Sequence, residues 1–208
     1  MEERGKIIVV EGPSNSGKTT TCQNMKNYEN CVVIDECMIY EKNPPSPSQN
    51  LEEELRNQLF FFEVEKRRML KATNYALSGR NVILDRCALS TVSIAYAFEK
   101  IGKYKAFSHA MGLYEKLMKD KELLMPDQYI FLYTDADSTR KRNKTRINEL
   151  SEAWIDNPFT EYQNEFYEIV SSKITQSEIV CTTGKDKQYV SKMIAEILKV
   201  QELEEQNI

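Results

Sequence analysis

The feature that most restricts how this chain can fold is a short apolar run that opens directly onto a glycine-flanked loop. Lys6–Glu11 (KIIVVE) is followed by Gly12-Pro13-Ser14-Asn15-Ser16-Gly17-Lys18-Thr19. A β-branched run of this length, bounded by glycine, reads as a strand buried on both faces of a parallel sheet. The loop reads G-x-x-x-x-G-K-[ST] in full, a pattern that carries meaning only between such a strand and a helix. Its two glycines let the backbone wrap around phosphates with N–H groups pointing inward, and the helix behind it adds the positive end of its dipole. Lys18 offers a mobile charge to β- and γ-phosphates, and the Thr19 hydroxyl can ligate Mg²⁺. Gly12, Ser14, Asn15, Ser16, Gly17, Lys18, Thr19 and Thr20 are therefore the candidate nucleotide-binding set.

The rest of the chain alternates in the same way. Cys31–Asp35 (CVVID), Asn81–Asp85 (NVILD), Tyr129–Tyr133 (YIFLY) and Ile179–Cys181 read as four more short strands. Between them lie helical patterns over 19–28, 51–77, 90–100, 105–123, about 138–150, 157–173 and 187–205. Pro44, Pro45 and Pro47 exclude regular structure from 40–50, which is expected to be an exposed, mobile loop. The long helix stops at Ser78-Gly79, a glycine stop signal. Five strands separated by helices predict one α/β domain over 1–208: a three-layer fold with a five-stranded parallel sheet and helices on both faces. Ligands of such sheets sit at the carboxyl ends of the strands, where the strand order reverses.

Composition narrows the function. The 28 basic and 32 acidic residues leave a net charge of −4, which argues against a general nucleic-acid binder. No apolar run approaches the ~18–20 residues of a membrane span. Five scattered cysteines without C-x-x-C spacing and a single histidine argue against zinc. A reduced, cytoplasmic protein without a membrane or nucleic-acid partner is expected. A GTPase would need an Asn-Lys-x-Asp loop, and Asn143-Lys144-Thr145-Arg146 ends in the wrong residue.

In four segments the chain resembles the thymidylate kinases and the related deoxynucleoside kinases, small P-loop kinases. These are EGPSNSGKTT at 11–20, SGRNVILDR at 78–86, PDQYIFLYTDAD at 126–137 and IVCTTGKDKQYVSKMI at 179–194. The resemblance implies ATP and Mg²⁺ as cofactors, a nucleoside or nucleotide as the small-molecule acceptor, and a homodimer; a kinase for a non-nucleotide metabolite and a nucleotide-binding regulatory protein without efficient transfer are the alternatives. It also implies site residues. Asp85-Arg86 closes the third strand, with Asp85 placed to hold Mg²⁺ and Arg86 to reach the transferred phosphoryl group. Asp137 or Ser138 can cap a strongly basic helix, RKRNKTR at 140–146, which the resemblance makes part of a lid over about 138–156. Arg142 and Arg146, one helical turn apart, are the candidates for charge stabilisation, and Arg142 also for nucleotide contact. Thr183 and Lys185, in the loop after the last strand, are expected against adenine.

The acceptor side departs from thymidylate kinases. Their acidic residue inside the phosphate loop is replaced here by Pro13, Ser14, Asn15 or Ser16, and no arginine follows the second strand. Their long-helix arginine falls at Val64, with Arg67 and Arg68 one turn on; Arg67 is a candidate acceptor contact, and Arg67 or Arg68 is the phosphate clamp if the acceptor carries a phosphate. In place of an arginine after the second strand stand Asp35 and Glu36. A carboxylate there suits a free acceptor hydroxyl as general base and would repel an anionic phosphate. Phe61 and Phe62 are candidates to line the acceptor pocket, although two of the three phenylalanines at 60–62 are expected in the core. His109 is expected to be structural.

Overall fold

The structure, a computed structural model, describes residues 4–145, 150 and 154–203. Five strands form a single parallel sheet: β1 (Ile7–Glu11), β2 (Cys31–Ile34), β3 (Asn81–Asp85), β4 (Gln128–Tyr133) and β5 (Ser177–Cys181). The alternating pattern predicts such a parallel sheet; the strand order, β2-β3-β1-β4-β5, is read from the structure. β1 therefore lies centrally, paired with β3 on one side and β4 on the other. The chain reverses its direction of winding there, and the loop after β1 emerges at that crevice.

Alternation along the strands divides the core in two. Ile7, Val9, Val82, Leu84, Tyr129 and Phe131 face one helical layer, while Ile8, Val10, Ile83, Ile130 and Leu132 face the other. The first layer holds α3 (Leu51–Leu77), α4 (Ala88–Lys100), α5 (Phe107–Lys119) and α7 (Asn157–Ser171). The second holds α1 (Lys18–Asn24), with a 3-10 turn at Met25–Asn27, and α8 (Tyr189–Leu198). Two further helices sit at the carboxyl ends of strands: α2 (Cys37–Tyr40) and α6 (Ala136–Asn143). No described helix is long and apolar enough to cross a membrane.

Local chemistry sets the helix boundaries. Asn50 caps α3 by accepting from the Glu53 N–H, and three glutamates fill its first turn, where the helix dipole favours them. The basic helix starts earlier than the sequence suggests. Asp135, rather than Asp137 or Ser138, is its cap and accepts from the Ser138 N–H at 2.7 Å. That bond, with two more from the Ser138 and Thr183 hydroxyls, holds the Asp135 carboxyl down to about 2. α6 ends at Asn143 rather than Leu150. Arg146 and much of the lid expected over 138–156 lie outside the described residues.

Candidate active site

The loop after β1 has the backbone that the motif requires. Gly12 takes φ +143°, and a Cβ there would stand 2.4 Å from the Leu132 carbonyl oxygen, so only glycine lets β1 turn this close to β4. Gly17 takes φ +102° and caps α1, leaving the first-turn N–H groups of that helix aimed into the loop. Ser14, Asn15, Ser16, Gly17, Lys18, Thr19 and Thr20 all line one cavity of about 940 Å³. Gly12 lies beneath it, against β4. The Lys18 ammonium folds back onto the Pro13 carbonyl at 2.5 Å and the Ser16 hydroxyl at 3.2 Å. Burial, with the nearby Arg86 charge second, brings its pKa down to about 7.

Asp85 closes β3 opposite the loop, 1% exposed, and neither carboxylate oxygen has a hydrogen-bond partner among the described residues. Burial pushes its pKa up, while the Lys18 charge pulls the other way. An orphaned carboxylate next to a threonine hydroxyl and a phosphate-binding loop fits Mg²⁺, which is held by one or two protein oxygens and completes its shell with phosphates and water. Asp85 and Thr19 are the residues that would hold it.

Arg86 follows in a left-handed conformation, φ +68°. Its guanidinium pairs with Glu36 at 3.0 Å and donates to the Gly12 carbonyl at 3.3 Å and the Ser90 hydroxyl at 3.0 Å. It thus links the end of β2, the phosphate loop and α4. The Asp35/Glu36 pair is split by the structure. Glu36 lines the cavity, whereas Asp35 is turned away and accepts from Gln23 at 2.8 Å. Of the two candidate carboxylates, only Glu36 faces the cavity.

Beyond Glu36 the cavity runs between α3, α4 and the proline loop. Phe61, Gln58, Glu54 and Glu65 of α3 line it, with Ile94 and Phe98 of α4 opposite. Phe62 does not: one position along the helix, it points into the core under the sheet, 2% exposed. Arg67 does not either, because its helical position faces outward. Its guanidinium, 56% exposed, pairs with Glu41 at 2.6 Å, so the expected phosphate clamp is not in the cavity. The proline loop is tied down rather than free. The Tyr104 hydroxyl donates to the Ser48 carbonyl at 2.7 Å, and Asn57 donates to the Ser46 carbonyl at 2.9 Å.

At the other end, Arg142 reaches from α6 to the phosphate loop. It donates to the Asn15 carbonyl at 2.9 Å and to the Thr182 carbonyl at 2.9 Å. Lys185 lines the cavity with its ammonium 4.8 Å from the Tyr189 ring centre. Thr183 instead donates to Asp135 at 2.7 Å, away from the cavity, and its neighbour Thr182 takes the lining position.

Sequence reasoning passed over Glu11. The last residue of β1, 0% exposed, accepts from the Cys87 N–H at 2.7 Å, the Ser90 hydroxyl at 2.7 Å and the Tyr167 hydroxyl at 3.0 Å. Through Ser90 it stands behind Arg86. Its signal was a carboxylate closing an otherwise apolar buried strand, which cannot stay charged there without several donors. His109 donates from Nδ1 to the Gln58 Oε1 at 2.8 Å.

No family model matches the sequence, and no curated protein matches it either. Solved structures do. The chain is similar to a thymidylate kinase from Candida albicans, with TM-score 0.72 and 22% identity over 94% of this chain and 92% of that one. It is also similar to a deoxyadenosine kinase from M. mycoides with bound dATP, with TM-score 0.72 and 16% identity over 93% of this chain and 99% of that one. A structure of deoxyadenosine kinase from M. mycoides with the products dCMP and a flexible dCDP gives TM-score 0.66 and 15% identity over 93% and 98%. Strand order, phosphate loop and these likenesses agree: the chain has a thymidylate kinase/deoxynucleoside kinase-like fold.

Proposed function

We propose that the protein is an ATP- and Mg²⁺-dependent phosphotransferase that moves the γ-phosphoryl group of ATP onto a hydroxyl of a nucleoside-class small molecule. The observation that carries this reading is one continuous cavity that runs from the phosphate loop, past the Glu36–Arg86 pair beside it, to α3, α4 and the proline loop. The neighbours in fold are kinases of nucleosides and nucleotides, which supports the acceptor class. The charge of the acceptor end supports a hydroxyl over a phosphate. Glu36 and Glu54 line it, with Glu65 neutralised by Arg68 behind the wall, and the cations that face it are Lys103 and an Arg86 already held by Glu36. An acceptor that already carried a phosphate would meet carboxylates where it needs cations.

On this reading the acceptor hydroxyl gives its proton to Glu36 as its oxygen bonds to the γ-phosphorus. The bond from that phosphorus to the β-bridging oxygen breaks, ADP leaves, and Glu36 returns the proton to solvent. Lys18 and Arg86 offset the charge on the oxygens in transit, and most of the acceleration comes from alignment and preorganised charge. Asp85 and Thr19 would hold Mg²⁺, which would supply charge neutralisation to the phosphates when bound. Arg142 and Lys185 border the nucleotide at the far end.

The test is transfer from labelled ATP, with Mg²⁺, to paired panels of nucleosides and nucleoside monophosphates, with Lys18→Ala as control. Labelled nucleosides and a silent Lys18→Ala are the expected result. Transfer confined to monophosphates would overturn the hydroxyl acceptor. Tight ATP binding with no transfer to nucleosides, monophosphates or other alcohols would make the protein a nucleotide-binding regulatory module instead.

A further inference from the structure

Arg68 is a guanidinium with no solvent access at all, in the middle of α3 and behind the cavity wall. Its side chain offers five N–H donors. The structure supplies an acceptor for each. Nε donates to the Asp35 carbonyl at 3.0 Å. One terminal nitrogen donates to the Asp85 carbonyl at 2.7 Å and the Arg86 carbonyl at 3.2 Å. The other pairs with the Glu65 carboxylate and contacts the Cys37 sulfur at 3.7 Å. No donor remains for a ligand, so Arg68 cannot serve as a phosphate clamp.

The three carbonyls mark the place where the sheet stops holding its own strands together. The β2–β3 ladder ends at Ile34 opposite Leu84. Asp35 and Glu36 lie past that last rung and have no ladder bond to β3. Two of the carbonyls flank the Cα of Arg86, whose positive φ a non-glycine residue keeps only where its surroundings impose it. An apolar side chain could fill the same space but could not bind three carbonyls pointing inward. Glu65 supplies the countercharge that makes a buried guanidinium tolerable.

We propose that Arg68 is a positioning residue: a clamp that ties the end of β2 to the end of β3, so that Glu36 and Arg86 meet at 3.0 Å and Asp85 faces the phosphate loop. It acts through those residues and does not touch the substrate. Its kinetic consequence rests on the phosphotransferase reading above, and its structural consequence does not.

Two variants test it. Arg68→Lys keeps a charge for Glu65, but an ammonium is a point donor and cannot span the carbonyls and the carboxylate together. The double variant Arg68→Met with Glu65→Leu replaces the buried pair by apolar groups of similar size, a change that often preserves stability. Both are expected to melt cooperatively and to bind ATP as the natural protein does. Their kcat is expected to fall about 100-fold, the scale of a misplacement near 1 Å. A folded variant whose kcat stays within about threefold, far short of that misplacement penalty, overturns the clamp. If Arg68→Lys does not fold, the double variant decides. A crystal structure of the double variant gives an answer independent of turnover. The Glu36–Arg86 contact is expected to open beyond hydrogen-bond reach, and its retention overturns the clamp whatever the kinetics. A natural protein that binds ATP and phosphorylates nothing would instead remove the kinase reading, leaving the clamp to that crystal structure.

Discussion

The two ends of the cavity are built in opposite ways. The phosphate end is made by one uninterrupted stretch, Gly12 to Thr20, whose geometry follows from two glycines and the start of a helix. The acceptor end draws on the residues just after β2 and β3, the proline loop, α3 and α4, scattered from Glu36 to Lys103. One end offers backbone N–H groups and a lysine, and the other is ringed by carboxylates that are held by buried partners. Local sequence can encode the first because each donor is covalently tied to the next. The second exists only when distant strand ends are brought into register, and its energetics are those of buried ion pairs and satisfied polar groups.

The largest effect expected from breaking this contrast is at the phosphate end. Lys18→Ala should reduce kcat by about a thousandfold or more, the scale of losing a preorganised charge at the reacting group, and should leave melting intact. Melting should survive because the ammonium is buried at a cost. Its pKa of about 7 in the folded protein lies below its ordinary 10.5, so between those values the unfolded chain binds the extra proton. Stability should therefore rise with pH across that window, and the rise should vanish in Lys18→Ala. The same depression means that ATP binding at pH 8 to 9 should take up a proton, approaching one per ATP as the phosphates restore the charge. Calorimetry in buffers of different ionisation enthalpy reads that uptake, and Lys18→Ala should lack it.

At the acceptor end, Glu36→Gln should lower kcat by about 100-fold while leaving ATP affinity unchanged, as expected for loss of a general base. A variant that phosphorylates monophosphates better than the natural protein would turn the comparison around. Asp35→Asn, in contrast, should lose stability through Gln23 and retain most of its turnover. Behind both ends, Glu11→Gln leaves one carboxamide N–H group facing the donors that Glu11 accepts. About 1–3 kcal/mol of stability should be lost, read by chemical denaturation, with a smaller fall in kcat through Ser90 and Arg86. The smallest effect belongs to Arg67→Ala. That side chain makes an exposed pair with Glu41, so stability should change by no more than about 0.5 kcal/mol and kcat not at all.

The same contrast explains what was legible in advance. The parallel sheet, the position of α3 and the phosphate loop all follow from periodicity, glycine placement and one motif, and each is present. The acceptor side was legible only by residue type. Of Asp35 and Glu36, adjacent in sequence, only one faces the cavity, and Gln23 from another helix decides which. Of Phe61 and Phe62, a rotation of one helical position sends one to the cavity and the other to the core. Arg67 and Arg68 are separated in the same way, one exposed on Glu41 and the other sealed among five acceptors.

What the amino-acid sequence determined by itself is whatever short-range sterics and period control: five strands, the helices between them, and a loop whose glycines leave one backbone path open. Only the tertiary structure decided which carboxylate meets Arg86, which arginine is buried, and that Glu11 stands behind the site. Those choices depend on which donors and acceptors share a dehydrated space, where an unpaired polar group costs far more than it does in water. No spacing along the chain records that sharing, because its members arrive from different strands and helices.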